Sequence, residues 1–364
     1  MRDRTSHGFA GLGDLEDSAA HTLPPALWDY VQGGAAEETT LRENRRAFLR
    51  RTLRPRVLVD ISEIDPTTTL LGSAVAAPFY VSPTAYHGAV HPDGEAGTAR
   101  AASEAHVLAA FSTLSTASLE AIATAAPHGP RWFQLYLQPE FASSRRLIER
   151  AEKAGYAALV LTVDMPVVAN RDRQSKAGFA LLESPPLGNG PEIVGPARGF
   201  VPRGSTFTLR SETSSGWDVL DRIQSVTSMP LVVKGILTGE DARTAVEHGA
   251  RAVVVSNHGG RQLDGAPASL DALPEVVAAV GDRAEVFFDG GVRRGADIVM
   301  ALALGAKGVG IGRPILWALG VGGQAGVERV LSLLKHDLVT TMALTGRRRV
   351  SEIDASLMGT PHGG

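Results

Sequence analysis

The 364-residue chain contains no cysteine and only 5% aromatic residues. The absence of cysteine excludes disulfides, thiolate metal ligands and a cysteine nucleophile. A formal net charge of −3 gives no basic excess, which counts against binding to nucleic acid. No apolar run reaches the roughly 18 residues of a membrane span, and the first residues contain no apolar signal-peptide core. We therefore expect a cytoplasmic protein that does not attach to membranes.

The hydrophobic content of 44% is ample for a core, and from residue 78 onward short apolar runs alternate with helix-like segments. The eight runs are Phe79–Val81, Val107–Phe111, Trp132–Leu137, Ala158–Val163, Leu231–Val233, Val253–Val255, Val286–Phe288 and Gly308–Ile311. Eight strand–helix units predict an α/β protein with a closed (β/α)8 TIM barrel of parallel strands. A doubly wound open sheet is the alternative, but the first strand is not followed by a G-x-G-x-x-G motif.

Two segments lie outside this alternation. Residues 1–13 are polar and rich in glycine, which predicts a flexible N-terminus, whereas residues 14–51 carry helical patterning. Residues 174–218, between strands four and five, are rich in Gly, Pro, Ser and Thr, and loops of this length are usually functional or disordered. We expect a single domain over residues 14–364, with an N-terminal helical extension and a long mobile lid loop after strand four.

The segment that follows the sixth strand, residues 256–261 (SNHGGR), gives the strongest chemical signal. His258 can exchange a proton near neutral pH, and Arg261 can hold a carboxylate through two hydrogen bonds. This pair predicts chemistry next to a carboxylate, although a capped turn with a solvated arginine is the simpler alternative. Arg171 could be a second carboxylate clamp. Asp164 could orient the imidazole or merely cap a helix.

Polar residues also follow the other strands, where a barrel has its active site. The loops after strands seven and eight contain Asp289, Gly290, Gly291, Arg293, Gly312 and Arg313. Such loops commonly bind phosphate through backbone N–H groups and helix N-termini, so we predict a phosphate site there. Other candidates are Thr84, Ser112 or Ser115, Gln134, Tyr136, Thr162, Lys234 and Ser256. Lys234 could form an ion pair or a Schiff base, as in class I aldolases.

These motifs resemble those of the FMN-dependent α-hydroxy acid oxidases and dehydrogenases, which include glycolate oxidase, lactate oxidase and mandelate dehydrogenase. The matching segments are WDYVQGG, SPTAYHGAVHPDGE, TLST, WFQLYLQ, LTVDMPV…RDR, LVVKGI, VSNHGGRQLDG, FFDGGVRRGADI and GIGRP. They extend from about residue 23 to the end of the chain. The resemblance implies a barrel that binds FMN, uses no metal and oxidises an (S)-2-hydroxy acid to the 2-keto acid.

The resemblance also implies a role for each candidate residue. His258 is implied to be the base and Asp164 its partner, while Lys234 lies beside the flavin. The implied catalytic residues are His258, Asp164, Tyr136 and Lys234. The implied substrate-binding residues are Tyr30, Arg171, Arg261, Tyr136 and His258. The implied FMN-binding residues are Pro83, Thr84, Ala85, Ser115, Gln134, Thr162, Lys234, Ser256, Asp289, Gly290, Gly291, Arg293, Gly312 and Arg313.

Two departures from the glycolate enzymes bear on the substrate, and a third position bears on the electron acceptor. The segment TLSTASLEA lacks their Trp-containing insertion, Tyr86 replaces their common Met, and Ala85 matches the residue typical of oxidases. This pattern resembles mandelate and 4-hydroxymandelate oxidases. It predicts oxidation of an aromatic acid, with O2 reduced to H2O2, by a homo-oligomer, since the family is commonly tetrameric.

Four alternatives to this prediction remain open. Two stay within the family, namely a dehydrogenase that uses another electron acceptor and an oxidase of small aliphatic acids such as lactate or glycolate. The other two are a Schiff-base aldolase that uses Lys234 and a non-enzymatic module that binds flavin or phosphate.

Overall fold

The computed structural model describes Phe9 and residues 11–176, 186–190 and 216–359. A short hairpin, β1 (Thr68–Leu70) and β2 (Ser73–Val75), precedes the barrel and was not predicted. The barrel strands are β3 (Phe79–Val81), β4 (Leu108–Ser112), β5 (Arg131–Leu135), β6 (Ala158–Thr162), β7 (Leu231–Ile236), β8 (Ala252–Val255), β9 (Glu285–Asp289) and β10 (Gly308–Ile311).

The eight barrel strands are all parallel, and each pairs with the next strand in the chain. The barrel closes where Val309 of β10 pairs with Phe79 of β3. This topology confirms the predicted (β/α)8 barrel and excludes the doubly wound sheet. Every residue of β4, β5, β6 and β8 is buried, which explains why these strands appear in the sequence as continuous apolar runs.

Helices surround the barrel and precede it. They are α1 (Leu12–Thr22), α2 (Pro25–Gln32), α3 (Thr39–Leu49), α4 (His87–Val90), α5 (Gly94–Glu104), α6 (Leu119–Ala125), α7 (Phe141–Lys153), α8 (Asp172–Lys176), α9 (Asp218–Gln224), α10 (Gly239–Glu247), α11 (Ser269–Val280), α12 (Gly295–Ala303) and α13 (Arg313–Leu344). Short 3-10 turns occupy Gly281–Arg283, Val350–Glu352 and Ala355–Leu357. Helices α1 to α3 form the predicted N-terminal extension, and α13 bends where Gly322 and Gly323 leave the helical conformation.

Much of both predicted mobile segments lies outside the described residues. Of the N-terminus, residues 1–8 and 10 are outside, whereas Phe9 is buried and α1 already begins at Leu12. Of the predicted lid, residues 177–185 and 191–215 are outside. Between them, Asn189 is buried, and its amide donates to the carbonyl of Thr113 at 3.4 Å. This short part of the loop therefore packs against the segment after β4.

Among the described residues, no helix combines the length and the apolar character that crossing a membrane requires.

Aromatic rings fill the interior of the barrel. The ring of Trp132 lies 5.6 Å from that of Tyr80 and 5.2 Å from that of Phe287, between ring centroids. The Tyr80 and Phe287 rings pack edge to face at 5.9 Å. All three side chains are almost completely buried, so they fill the inside of the barrel with a closely packed layer.

We expect Trp132→Ala to destabilise the protein by about 3–5 kcal/mol, because it leaves a cavity that the packed barrel cannot fill. Urea-induced unfolding measures the loss. Trp132→Phe is the control and should cost less, since it keeps a ring and the indole N–H has no hydrogen-bond partner among the described residues. Equal losses for the two variants would contradict the packing argument.

Candidate active site

A cavity that is partly open to solvent lies at the carboxyl ends of the barrel strands. Most of the residues that the sequence singles out line it. They are Tyr30, Pro83, Thr84, Ala85, Tyr136, Arg171, Lys234, His258, Arg261, Asp289, Gly290, Gly291, Arg293, Gly312 and Arg313. These residues come from seven of the βα units and from the N-terminal extension, and they meet at one place.

Four other predicted cofactor residues lie directly behind this lining and are buried: Ser115, Gln134, Thr162 and Ser256. Ser256 accepts a hydrogen bond from Lys234 Nζ at 2.8 Å. The hydroxyl of Ser115 donates to the Ser112 carbonyl at 2.7 Å. Of the two alternative serine candidates, Ser112 and not Ser115 lines the cavity.

Two hydrogen bonds hold His258 in one orientation at the cavity. Its Nδ1 lies 2.9 Å from Asp164 Oδ1, and its backbone N–H donates to Ser256 Oγ at 3.1 Å. Burial lowers the pKa of His258, and the nearby Asp164 carboxylate offsets this only in part. The imidazole is therefore neutral at pH 7. Because Nδ1–H donates a hydrogen bond to Asp164, Nε2 is the nitrogen that can accept a proton.

Asp164 stays ionised although it is buried. Burial raises its pKa, but the interactions with His258, including its hydrogen bond, and the charge of Lys234 outweigh this and lower the pKa overall. The converse holds for Lys234, whose pKa burial lowers but Asp289 and Asp164 raise by more. Lys234 Nζ lies 3.4 Å from Asp289 Oδ2. The site therefore contains a fixed cation and a fixed anion beside a neutral base.

A glycine next to Lys234 lets strand β7 approach Asp164 closely. Gly235 has a φ of +110°, and the pairing of β7 with β8 is irregular between Lys234 and Ile236. A Cβ atom at Gly235 would lie 2.6 Å from the Cβ of Asp164. No local pattern in the sequence singles out this position, because the close approach involves another strand.

Arg171 and Arg261 lie together at the cavity. Arg171 Nε donates to the Arg261 carbonyl at 3.3 Å. Burial lowers the pKa of Arg171 to about 10, and the charge of Arg261 contributes to this. The described hydrogen bonds of both guanidinium groups go to backbone carbonyls or to the amide oxygen of Gln262. Two adjacent cations without a carboxylate among these partners suit an anionic ligand.

Arginines also fasten the N-terminal extension to the barrel. Arg261 donates to the carbonyls of Tyr30 at 2.8 Å and Gly33 at 2.7 Å, and its guanidinium lies 5.1 Å above the Tyr30 ring. Arg313 donates to the carbonyls of Val31 at 3.1 Å and Gly33 at 3.0 Å. Arg313, predicted as a phosphate ligand, thus lines the cavity while it satisfies the carbonyls at the end of α2.

A pair of buried amides, which the sequence analysis did not identify, holds the loop that carries His258. Asn44 of α3 donates to Asn257 Oδ1 at 2.9 Å, and Asn257 donates back to Asn44 Oδ1 at 2.8 Å. At Gly291, whose φ is +80°, a Cβ atom would collide with the Asn44 carbonyl. Helix α3 of the extension therefore supports both the loop that carries His258 and the glycine-rich loop after β9.

The sequence is similar to that of known flavin enzymes, whose cofactor suits the residues at this cavity. The family described as FMN-dependent dehydrogenase matches residues 19–360. The chain belongs to this family. L-lactate oxidase from Nostoc sp. is 48% identical over 95% of this chain and 97% of its own length. 2-Hydroxyacid oxidase 2 from Homo sapiens is 45% identical over 95% of this chain and 97% of its own length.

Solved structures extend the likeness to the fold. The crystal structure of mandelate oxidase with (S)-4-hydroxymandelic acid has a TM-score of 0.88 at 39% identity, over 96% of this chain and 98% of that chain. Together these relatives confirm an enzyme of the FMN-dependent 2-hydroxy acid oxidase family, with FMN as its cofactor.

The residues at the cavity fit FMN. Among the described side chains, the buried polar atoms without a hydrogen-bond partner include Ser82 Oγ, directly after β3, and Gln134 Nε2, near the end of β5. Ser112 donates to Gln134 Oε1 at 2.9 Å, which fixes the orientation of that amide. In the loops after β9 and β10, Gly290 and Gly291 precede α12 and Gly312 precedes α13. These backbones and the nearby Arg293 provide the donors that a phosphate needs.

We expect Asp164→Asn to shift the acidic limb of the kcat/KM profile to lower pH, because it removes the carboxylate that raises the pKa of His258. The rate should also fall by about 10²- to 10⁴-fold, because the imidazolium loses its stabilising charge. The matched control is Asp221→Asn, since Asp221 pairs with His248 at 3.0 Å on the protein surface. An unmoved acidic limb in Asp164→Asn would count against the pairing.

Proposed function

We propose that this chain oxidises an (S)-2-hydroxy acid with an aromatic side chain, of the mandelate or 4-hydroxymandelate type, to the 2-keto acid. O2 is the proposed electron acceptor and H2O2 the second product. The observation that carries the proposal is the convergence on one cavity of a neutral histidine base, two arginines and a tyrosine, namely His258, Arg171, Arg261 and Tyr136.

Each of these groups has a distinct task. Arg171 and Arg261 bind the substrate carboxylate, which fixes the neighbouring carbon relative to the base. His258 Nε2 takes up one of the two hydrogens that the substrate loses, as a proton, and Asp164 stabilises the imidazolium that forms. FMN, when bound, would supply the acceptor for the two electrons and the second hydrogen.

Tyr136 supplies a neutral donor. Burial raises its pKa, so its hydroxyl stays protonated at pH 7 and can donate a hydrogen bond to the hydroxyl or keto oxygen of the substrate. Lys234 holds a fixed positive charge at the proposed FMN site, where it stabilises negative charge on the cofactor.

Two features support an aromatic substrate. The cavity lining includes the apolar side chains of Leu114 and Met165 and the small Ala85, and no tryptophan lines it among the described residues. In addition, solved mandelate oxidase structures are 39–40% identical to this chain. The 48% identity to an L-lactate oxidase favours a second candidate, oxidation of a small aliphatic acid.

The visible spectrum of the holoenzyme during anaerobic mixing with (S)-mandelate, (S)-lactate or glycolate tests the substrate. We expect (S)-mandelate to bleach the flavin band fastest, with rapid recovery and peroxide formation when air is admitted. Faster bleaching by lactate would establish the second candidate. Slow recovery in air would indicate a dehydrogenase, and bleaching by none of the acids would refute the proposed activity.

We expect Arg171→Met to weaken binding of the acid by about 2 kcal/mol or more, which is roughly 30-fold, because removing one charged partner leaves the carboxylate poorly matched. Initial rates against acid concentration measure the change in KM. The control is Arg173→Met, which removes a nearby arginine of α8 that pairs with Glu38 at 2.7 Å and does not line the cavity. An unchanged KM in Arg171→Met would contradict the clamp.

We also propose that the protein is a cytoplasmic homotetramer. Exposed apolar side chains support self-association, since Leu58 is fully exposed and Val57 is 80% exposed. Light scattering of the purified protein measures the mass, and a monomer would refute the proposed assembly.

A further inference from the structure

Gln262 is a buried amide that lies just beyond the cavity lining. Its Nε2 donates to the carbonyl of Asp164 at 3.0 Å and to the carbonyl of Val167 at 2.8 Å. Its Oε1 faces Arg171, whose guanidinium lies 3.4 Å away. A single side chain therefore joins the turn at residues 164–167 to an arginine of the substrate clamp.

The turn that Gln262 closes carries two functional groups. Asp164, at its start, pairs with the base His258, and Met165, which follows, lines the cavity. Val167, at its end, is 48% exposed, so the outer side of the turn has little packing to hold it. The amide of Gln262 is the buried anchor on its inner side.

The geometry of the reaction makes this arrangement important. The carboxylate of a 2-hydroxy acid is bonded directly to the carbon that is oxidised, so the clamp and the base must keep a fixed separation. Arg171 belongs to the clamp, and Asp164 sets the direction of the His258 ring. A misplacement of about 1 Å between such groups can reduce the rate by about 10²-fold.

We propose that Gln262 is a positioning residue, which sets the spacing between the carboxylate clamp and the base through Arg171 and the 164–167 turn. This inference rests on the proposed roles of Arg171 and His258. Gln262 itself does not touch the substrate, because it acts through the groups to which it is bonded.

Gln262→Met keeps the length and volume of the side chain but removes all three hydrogen bonds. Because both the clamp and the base partner lose an anchor, we expect kcat to fall and KM to rise together, with kcat/KM reduced by about 10- to 100-fold. Benzoylformate is the 2-keto acid formed from mandelate. Its dissociation constant, followed by the flavin absorbance of the holoenzyme, should rise as well. This second measurement does not depend on turnover.

Comparing Gln262→Glu with Gln262→Met isolates the contact with Arg171, because both variants lose the hydrogen bonds to the two carbonyls. A glutamate cannot donate to the Asp164 and Val167 carbonyls, and its charge pairs with Arg171 and competes with the carboxylate of the acid. We therefore expect benzoylformate to bind more weakly to Gln262→Glu than to Gln262→Met. Equal or tighter binding in the glutamate variant would overturn the proposed contact with Arg171.

Gln224→Met is the matched control. Gln224 also donates to two backbone carbonyls, those of Leu220 at 3.1 Å and His248 at 2.6 Å, but it lies at the opposite end of the barrel. Its loss should leave kcat, KM and benzoylformate binding unchanged. Thermal unfolding of all variants shows how much stability each substitution removes.

The outcomes distinguish this inference from the proposed function. If the unmodified enzyme is reduced by a 2-hydroxy acid but Gln262→Met keeps its kcat and KM, the positioning role is refuted alone. A Gln262→Met variant that only unfolds at a lower temperature, with unchanged kinetics below it, also refutes the positioning role. If no acid reduces the unmodified enzyme, the proposed activity fails, while a change in benzoylformate affinity still tests the contact.

Discussion

The ionised carboxylate of Asp164 is the group on which the rest of the site depends. It is withdrawn from water, where an isolated charge is strongly disfavoured, and it stays ionised because His258 and Lys234 lie beside it. Those two neighbours depend on it in turn, since it orients the imidazole and helps to keep the lysine charged. Gly235 leaves room for the Asp164 side chain, and the amide of Gln262 donates to the Asp164 backbone carbonyl. A neutral base can therefore persist within a strongly charged environment.

The cavity and the whole protein differ in their electrostatic character. The chain as a whole is slightly acidic, yet Lys234, Arg171, Arg261, Arg293 and Arg313 all face one cavity. Burial lowers the pKa values of the four arginines, which reflects the cost of holding cations together away from water. Anionic ligands relieve this cost. A phosphate at one end and a carboxylate at the other suit the same set of charges, which explains how cofactor and substrate can share one opening.

Sequence patterns predicted most of the fold because parallel barrel strands are buried on both faces and appear as apolar runs. All eight were found, with ends shifted by at most a few residues, as for β4, which begins at Leu108. The residues at strand ends could be predicted for a similar reason, since a barrel brings those ends together. The hairpin at Thr68–Val75 was missed because three-residue strands carry too little periodicity. Contacts between distant segments, such as Asn44 with Asn257, leave no local pattern, and Gln262 stood in a recognised motif without a role until its partners were visible.

The bonds from Arg261 and Arg313 to the carbonyls at the end of α2 bear on how the chain matures during synthesis. The ribosome makes α2 first, but the arginines that fasten it come more than 220 residues later. During most of translation this helix end has none of these partners. The hydrogen bonds that fix the wall of the site containing Tyr30 can thus form only after the last barrel strand has been made, so this wall is completed late in synthesis.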